Sequence, residues 1–243
     1  MIEQLKLEVA ELSSLHEAYL APLLKWRILD VEGLRFEIDF DMNYSAFCRS
    51  LRLLETKGVI ESYRRPNSGK KFVFLTERGE KLLKHGQNPT AISRETLIHD
   101  LKVSEWVRAF LKRGWIQNGT LEHELHNKRQ FGSALRVIPD ALLESIKNKK
   151  NCKIALELEL NLKSRPRIIE KVRQYLADDS IDGVLYLFSK QGHFESYREL
   201  IVDEEGEGAL KKIALFAIKQ ENEPENASGI YRGKPSPLRE VFC

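Results

Sequence analysis

The sequence is poor in the features that mark secreted and membrane proteins. Its 243 residues include three cysteines, Cys48, Cys152 and Cys243, which are widely separated and lack metal-ligand spacing. Such an odd, scattered set argues against a disulfide framework and for a reducing compartment. The chain has no signal-like start and no uninterrupted apolar stretch approaching about 18 residues, so we expect no membrane insertion. These absences predict a soluble, cytoplasmic protein.

The chain also has little net charge. Its 39 basic and 36 acidic residues give a formal charge of +3, which is too small to indicate nucleic-acid binding by itself. Any argument for such binding must therefore be local. The length allows one large domain or two ordinary ones with a sizeable core, and we expect two.

Residues 1–88 are expected to form the first domain. Apolar residues at helical spacing predict two short helices before residue 29 and a third from Tyr44 to Thr56. Two apolar strands, 59–63 and 71–75, then flank a basic loop of turn residues, and another helix follows. This order of elements is similar to that of a winged helix-turn-helix.

The predicted reading elements of this domain carry a local excess of positive charge. Between Tyr44 and Lys71 there are seven Lys or Arg residues and two acidic ones. Polar side chains on the third helix would face a DNA major groove, and cations of the wing would hold phosphates. A winged helix that binds protein is the alternative. The candidate DNA-binding residues are Tyr44, Ser45, Arg49, Arg52, Arg64, Arg65, Lys70 and Lys71.

A linker of breakers and polar residues separates this domain from a second one, expected at residues 93–220. The predicted order is helix, strands, helix and strand, which indicates an α/β domain. The helices are expected at 97–113 and 167–176, and the strands at 115–117, 121–125, 135–138, 154–160 and 183–188. From residue 221 to 243, prolines lie among Asn, Ser and Gly, which predicts an extended tail.

Acidic side chains gather on two predicted strands of the second domain. Because strand residues alternate between faces, Glu157 and Glu159 point the same way, while the leucines beside them can bury against a core. Asp140 follows the neighbouring predicted strand. Carboxylates grouped in this way repel one another unless a divalent cation such as Mg²⁺ takes up their charge. The pattern predicts a metal site at Asp140, Glu157 and Glu159.

Together these elements resemble the core of the PD-(D/E)xK nuclease superfamily. In that superfamily a helix glutamate, a strand aspartate and a strand acid with a nearby lysine surround one or two metal ions, and Glu105, Asp140 and Glu157 match these places. The metal binds a phosphate oxygen and lowers the pKa of an attacking water. The lysine usually lies two residues after the strand acid, where this chain has Glu159, and Lys163 is the nearest candidate to replace it.

Longer strings narrow the resemblance. Residues 99–105, 137–141 and 157–167 look like the replication-relaxation family, which includes the MobC-type plasmid mobilization relaxases. The resemblance implies an endonuclease specific for one site and one strand, which nicks a plasmid transfer origin with Mg²⁺ or Mn²⁺ and uses a lysine at position 163. It also implies partners in mobilization, such as an accessory relaxosome protein or a coupling ATPase.

Basic residues also favour DNA binding by the second domain. From Ile146 to Arg173 there are nine Lys or Arg residues against three glutamates. Phosphate contacts of this kind add affinity that falls with salt and carries no sequence preference. Arg165 and Arg167 are the candidate DNA-binding residues of this group.

The residues leave other functions open. Glu159 at the place of the lysine favours a non-catalytic DNA-binding replication initiator or transcriptional repressor. A transposition endonuclease subunit would combine the same two domains, although with the winged helix after the nuclease core. Tyr175, Tyr186 and Tyr197 are conceivable nucleophiles for covalent chemistry, but none lies in a recognisable catalytic motif. We expect a metal-activated water instead.

Overall fold

The chain divides into two compact units, residues 1–101 and residues 102–243. Its computed structural model describes residues 12–38, 43–83, 92, 95–125, 137–147, 149–218 and 223–242. Most of the predicted linker and Cys243 lie outside these ranges.

The first unit joins helices to a small antiparallel sheet, which has three strands in the described ranges. The helices are α1 (Ser14–Trp26), α2 (Val31–Glu37), α3 (Tyr44–Thr56) and α4 (Glu77–Leu83). The strands are β1 (Ile28–Asp30), β2 (Ile60–Arg64) and β3 (Lys71–Leu75), in the sheet order β1-β3-β2. Helices α2 and α3 precede a β2-β3 hairpin that pairs with β1, and the winged helix-turn-helix character of this unit stays a prediction.

Local capping sets the starts of α2 and α3. The Asp30 side chain accepts a hydrogen bond from the Gly33 backbone N–H at 2.6 Å, and the Asn43 side chain accepts one from Ser45 at 2.9 Å. Such caps satisfy backbone donors that a helix start leaves free. The predicted third helix is confirmed as α3. Of the two helices expected before residue 29, the second corresponds to α1, and most of the first lies outside the described residues. Helix α2, which Asp30 caps, was not predicted.

Helix α5 (Leu97–Lys112) contains the division between the two units. Its residues Leu97 and Leu101 are buried in one apolar cluster with Ile28, Phe72 and Phe74. The first unit therefore extends past the expected boundary near residue 88, because the first turns of α5 complete its core.

The second unit is built on a mixed sheet, with seven strands in the part of the chain described. The strands are β4 (Asn118–Leu121), β5 (Ala141–Lys147), β6 (Lys150–Glu159), β7 (Gly183–Phe188), β8 (Ile213–Ala217), β9 (Ser228–Tyr231) and β10 (Lys234–Pro237). Their order is β10-β9-β8-β7-β6-β5-β4. Strands β6, β7 and β8 are parallel neighbours, and the other pairs are antiparallel. The expected mixed α/β class is confirmed.

Two helices bury their apolar faces with the central strands of this sheet. Helix α6 (Arg165–Leu176) and helix α7 (Gln191–Glu205) contribute Ile168, Val172 and Ile201 to one core cluster with β7 residues. Strand β7 is buried from Val184 to Phe188, as its apolar run predicts. Nowhere in the described ranges does a helix combine the length and apolar character needed to cross a lipid bilayer.

Three expected strands of the second unit are wrong. Residues 115–117 are not a strand, and β4 begins only at Asn118. Residues 122–125 are helical, and the Glu124 side chain accepts a hydrogen bond from the Leu121 backbone N–H at 3.0 Å, which is the back-bond of a capping box. Residues 137–140 are not a strand, and Pro139 has no N–H to give to a ladder. The strand begins just after Asp140, at Ala141.

The segment expected to be an extended tail belongs to the sheet. Strands β9 and β10 form a hairpin, and β9 pairs with β8. Phe242 is buried, and its ring centroid lies 4.9 Å from that of Phe110. The prolines Pro235 and Pro237 lie on the edge strand β10, where proline is tolerated because one row of N–H groups needs no partner. Burial of its apolar residues thus keeps this segment folded, although its polar composition predicted a tail.

Candidate functional site

Pairing of β5 with β6 brings Asp140 close to Glu157. The last described pair of this ladder joins Ala141 to Leu156, so Asp140 and Glu157 are the next cross-strand positions. The Asp140 carboxylate accepts a hydrogen bond from the Leu158 backbone N–H at 2.7 Å. The two acids therefore lie close together, as predicted. Asp140, however, lies just before β5 and not at the end of a strand.

Helix α6 covers Glu157 and binds both of its carboxylate oxygens. Lys171 Nζ lies 2.5 Å from Oε2, and the Tyr175 hydroxyl donates a hydrogen bond to Oε1. Glu157 is fully buried. The glutamate face of β6 is thus covered by a helix.

The electrostatics of this group follow from burial and from neighbouring charges. Burial, followed by the negative charge of Asp140, raises the pKa of Glu157 to about 7, even though Lys171 and Tyr175 favour the ionised form. Burial acts to lower the pKa of Lys171, but Glu157, Asp140 and Glu159 together outweigh it and raise that pKa. The three acids and Lys171 therefore form one coupled group.

Glu159 has its own lysine. Lys163 Nζ lies 2.7 Å from Glu159 Oε1, and the Glu159 side chain is 2% exposed while that of Lys163 is 33% exposed. Lys163 thus lies beside the acids, and its expected role as the replacement lysine stays a prediction. The Lys171 side chain is 26% exposed, so the cluster reaches the surface at its two lysines.

Three tyrosines lie beside these acids. The hydroxyls of Tyr186 and Tyr197 are buried and have no hydrogen-bond partner among the residues described. Burial first, and then the negative charge of Glu157 or Glu159, raises the pKa of Tyr175, Tyr186 and Tyr197. Deprotonation is disfavoured at all three, which does not favour a tyrosine nucleophile here.

The fit of this cluster to a divalent cation rests on Asp140 and Glu157. Burial raises the Glu157 pKa first, and repulsion from Asp140 raises it further. Mg²⁺ is commonly held by one or two carboxylates while water and substrate phosphates complete its shell. Within the described residues no group of three or more His, Cys, Asp or Glu side chains could hold a metal ion. The pair therefore fits a two-carboxylate site, and Glu159 does not join Asp140 and Glu157 in the expected three-ligand arrangement.

Other predicted residues of the second unit lie around this cluster or apart from it. Glu105 lies on α5 and is half-buried, and its part in the site stays a prediction. Arg165 begins α6 and pairs with Glu204 of α7 at 2.7 Å. Arg167 is exposed on the same helix, and its charge opposes the rise in the pKa of Tyr197.

In the first unit, the candidate DNA-binding residues lie on α3 and on the β2-β3 hairpin. On α3, Tyr44, Ser45, Arg49 and Arg52 are exposed. The hairpin lysines are engaged in ion pairs, Lys70 with Asp30 and Lys71 with Glu55, each at 2.6 Å. Arg64 is exposed and donates to the Gly69 carbonyl at 3.3 Å, and the Arg65 guanidinium lies 5.0 Å from the centroid of the Phe72 ring.

A surface cleft of about 330 Å³ lies between α3 and this hairpin. Tyr44, Arg52, Arg64, Lys70 and Lys71 line it, together with the acids Asp30 and Glu32. The cleft thus places five of the eight candidates of the first unit on one surface. Its acids already hold Lys70, so Arg49 and Arg52 are the more available cations for phosphates.

Sequence reasoning named Lys171 only as a member of a basic cluster and Tyr175 only as a conceivable nucleophile. Their contact with Glu157 requires α6 to lie over β6. One signal was present in the sequence, since Lys171 and Tyr175 are four residues apart and lie beside Ile168 and Val172, which form the buried face of the helix.

Comparisons with known proteins identify the family. Residues 22–177 match the family described as Replication-relaxation, and the chain belongs to it. Among solved structures, restriction endonuclease FokI matches with a TM-score of 0.29 and 12% identity over 77% of this chain. The match spans 40% of that FokI chain. No curated protein matches the sequence.

Proposed function

We propose that the protein is a DNA endonuclease whose second unit cleaves a phosphodiester bond with a divalent cation held by Asp140 and Glu157. The observation that carries this proposal is the convergence of these two acids across β5 and β6 beside Lys163 and Lys171. Membership in the Replication-relaxation family supports it. A bound Mg²⁺ or Mn²⁺ would supply charge for phosphate oxygens and lower the pKa of a bound water.

The side chains of the cluster have separate parts in this proposal. Tyr175 fixes the orientation of the Glu157 carboxylate through its hydrogen bond. The ammonium groups of Lys163 and Lys171 attract the phosphate of a DNA strand, and the exposed Arg167 adds a phosphate contact. Arg49 and Arg52 on α3 of the first unit bind the same DNA and give it a register.

The biological target in this proposal is a plasmid transfer origin, nicked on one strand as in plasmid mobilization. The relaxase resemblance of the strings at 99–105, 137–141 and 157–167 supports this finer statement. The partners would then be other mobilization proteins, such as an accessory relaxosome protein or a coupling ATPase.

Conversion of supercoiled plasmid to open circles tests the proposal. The full chain, with Mg²⁺ or Mn²⁺ and a plasmid that carries its own transfer origin, should produce nicked circles. Asp140→Ala and Glu157→Gln should each reduce the rate by about 100-fold or more, because each removes a carboxylate from the cation site. Glu144→Gln on β5 is the matched control and should nick at the rate of the unchanged protein. Undiminished nicking by Asp140→Ala would contradict the proposal.

A second candidate is a DNA-binding initiator or repressor that does not cut. The engagement of both Glu157 oxygens by Lys171 and Tyr175 favours it, since a cation would have to compete for them. Footprinting separates the two candidates. Protection of a DNA site that is equally tight without divalent cations, and that is accompanied by no cleavage when they are added, would support the non-catalytic function.

A further inference from the structure

Helix α6 places one cation and one hydroxyl on a single carboxylate. Lys171 and Tyr175 are one helical turn apart, and they bind Oε2 and Oε1 of Glu157, respectively. Because Glu157 is fully buried, its charge is taken up by protein groups and not by bulk water. Tyr175 contributes a dipole, so Lys171 is the group that contributes charge.

Lys171 also interacts electrostatically with three acids. Its ammonium is attracted by Glu157, Asp140 and Glu159. Lys163, in contrast, pairs with Glu159 alone among the ion pairs of the cluster. Lys171 therefore occupies Oε2 of Glu157, an oxygen that a bound cation would need as a ligand.

The charges of the cluster are nearly balanced without a metal ion. With every group ionised, three carboxylates and two ammonium groups leave one net negative charge. With Lys171 replaced by a neutral residue, two negative charges remain, which is the number that one divalent cation neutralises. The buried hydroxyls of Tyr186 and Tyr197 stay neutral and do not change this balance.

We propose that Lys171 is a built-in counter-ion that competes with a divalent cation for Asp140 and Glu157. The inference rests on the proposed function only for the position of the cation site. It gives Lys171 a role distinct from that of Lys163: the α6 lysine holds the acids together before a cation binds and sets how tightly the cation is held. Cation binding then requires the Lys171 ammonium to leave Glu157.

Manganese titration of the full chain tests this competition. Calorimetry would compare the unchanged protein with Lys171→Gln, which removes the charge but keeps an N–H donor for Glu157. We expect Mn²⁺ to bind Lys171→Gln about tenfold more tightly, because an opposing charge a few ångströms away is removed. The matched control is Arg173→Gln, which removes one positive charge from the same helix at a side chain paired with Glu204 and Glu205. The control should bind Mn²⁺ within about twofold of the unchanged protein.

The other possible results of the titration also test the counter-ion role of Lys171. Equal or weaker Mn²⁺ binding by Lys171→Gln, or an equal gain in Arg173→Gln, overturns the inference, as does the absence of Mn²⁺ binding in all three proteins. If Lys171→Gln does not fold in chelator, Mn²⁺ should restore its thermal transition, and failure to do so also overturns the inference. Nicking of plasmid is measured separately. If Lys171→Gln binds Mn²⁺ more tightly but the unchanged protein does not nick plasmid, the counter-ion role of Lys171 stands and the proposed endonuclease function fails.

Discussion

At the residue scale, Glu157 shows how the second unit holds a buried negative charge. One of its oxygens binds an ammonium and the other binds a phenol. Burial, followed by repulsion from the nearby Asp140, raises its pKa to about 7. Buried pairs of this kind contribute little net stability, but the loss of one partner leaves an uncompensated polar group. The effect of the cluster on stability is therefore tested better by removing a hydrogen bond to Glu157 than by counting its ion pairs.

The two buried tyrosines Tyr175 and Tyr186 give a matched test of this view. Tyr175→Phe should lower the free energy of unfolding by about 1–3 kcal/mol, because Glu157 loses a hydrogen bond that water does not replace. Tyr186→Phe should leave it unchanged or slightly raise it, because the Tyr186 hydroxyl is buried without a partner. Urea denaturation in the presence of a chelator, monitored by far-UV circular dichroism, measures the free energy of unfolding of both variants. Equal losses in the two variants would contradict the assignment of the hydrogen bond.

At this scale the sequence predicted part of the site. Asp140, Glu157, Glu159 and Lys163 were expected near one another, and the structure brings the three acids into one coupled group with Lys163 on Glu159. Lys171 was not singled out. A lysine on a helix of mixed charge looks solvated in sequence, and its contact with Glu157 exists only because α6 packs over β6.

At the element scale, the β9-β10 hairpin extends the sheet through a close approach of backbones. Gly229 pairs with Phe216 of β8, and a Cβ added at Gly229 would lie 2.0 Å from the Leu215 carbonyl oxygen and 2.7 Å from Phe216 Cα. Both neighbours are backbone atoms, which cannot move aside without disturbing the ladder. The glycine is therefore a requirement of the β8-β9 pairing.

Substitution of this glycine tests whether the hairpin belongs to the folded unit. Gly229→Ala should lower the free energy of unfolding by about 2 kcal/mol or more, because β9 must shift away from β8. Gly208→Ala is the control, because a Cβ there meets no atom within 4 Å, and its stability should change by less than about 1 kcal/mol. Thermal unfolding by calorimetry measures the two variants. No difference between them would mean that residues 223–242 are the loose tail that their composition suggests.

Elements were predictable where their apolar periodicity was complete. Helix α3, strands β2, β3 and β7 and helix α6 lie close to their expected positions. Strand β5 was displaced, because Pro139 and the Leu-rich stretch after Asp140 give no clear alternation. The folded C-terminal segment was missed because its few apolar residues, such as Ile230 of β9 and Phe242 beyond the hairpin, are buried by partners distant in sequence.

At the scale of the whole molecule, positive charge is local in a chain of low net charge. The net charge of +3 does not reveal the local excess of cations on α3 and on the β2-β3 hairpin. Of these cations, Lys70 and Lys71 are already engaged in ion pairs. Arg49 and Arg52 are exposed on α3. If the protein binds DNA as proposed, these two arginines release counter-ions from phosphates.

The salt dependence of DNA binding tests this use of charge. The double variant Arg49→Gln and Arg52→Gln should reduce the slope of log affinity against log salt by about two, because each phosphate contact contributes about 0.9. Lys81→Gln is the control, since its ammonium pairs with Glu77 on α4, and the slope should not change. Fluorescence anisotropy of the full chain with a duplex of arbitrary sequence gives the slopes. An unchanged slope in the double variant would exclude α3 from the DNA contact.

The sequence alone determined the class of the fold, the order of most elements and the presence of acids on one face of β6, because these depend on local periodicity and composition. The tertiary structure decided which groups meet those acids. Covering of β6 by α6 buries Glu157 and places Lys171 and Tyr175 on its two oxygens. Contacts between elements distant in sequence set burial and charge pairing, and no local pattern encodes them.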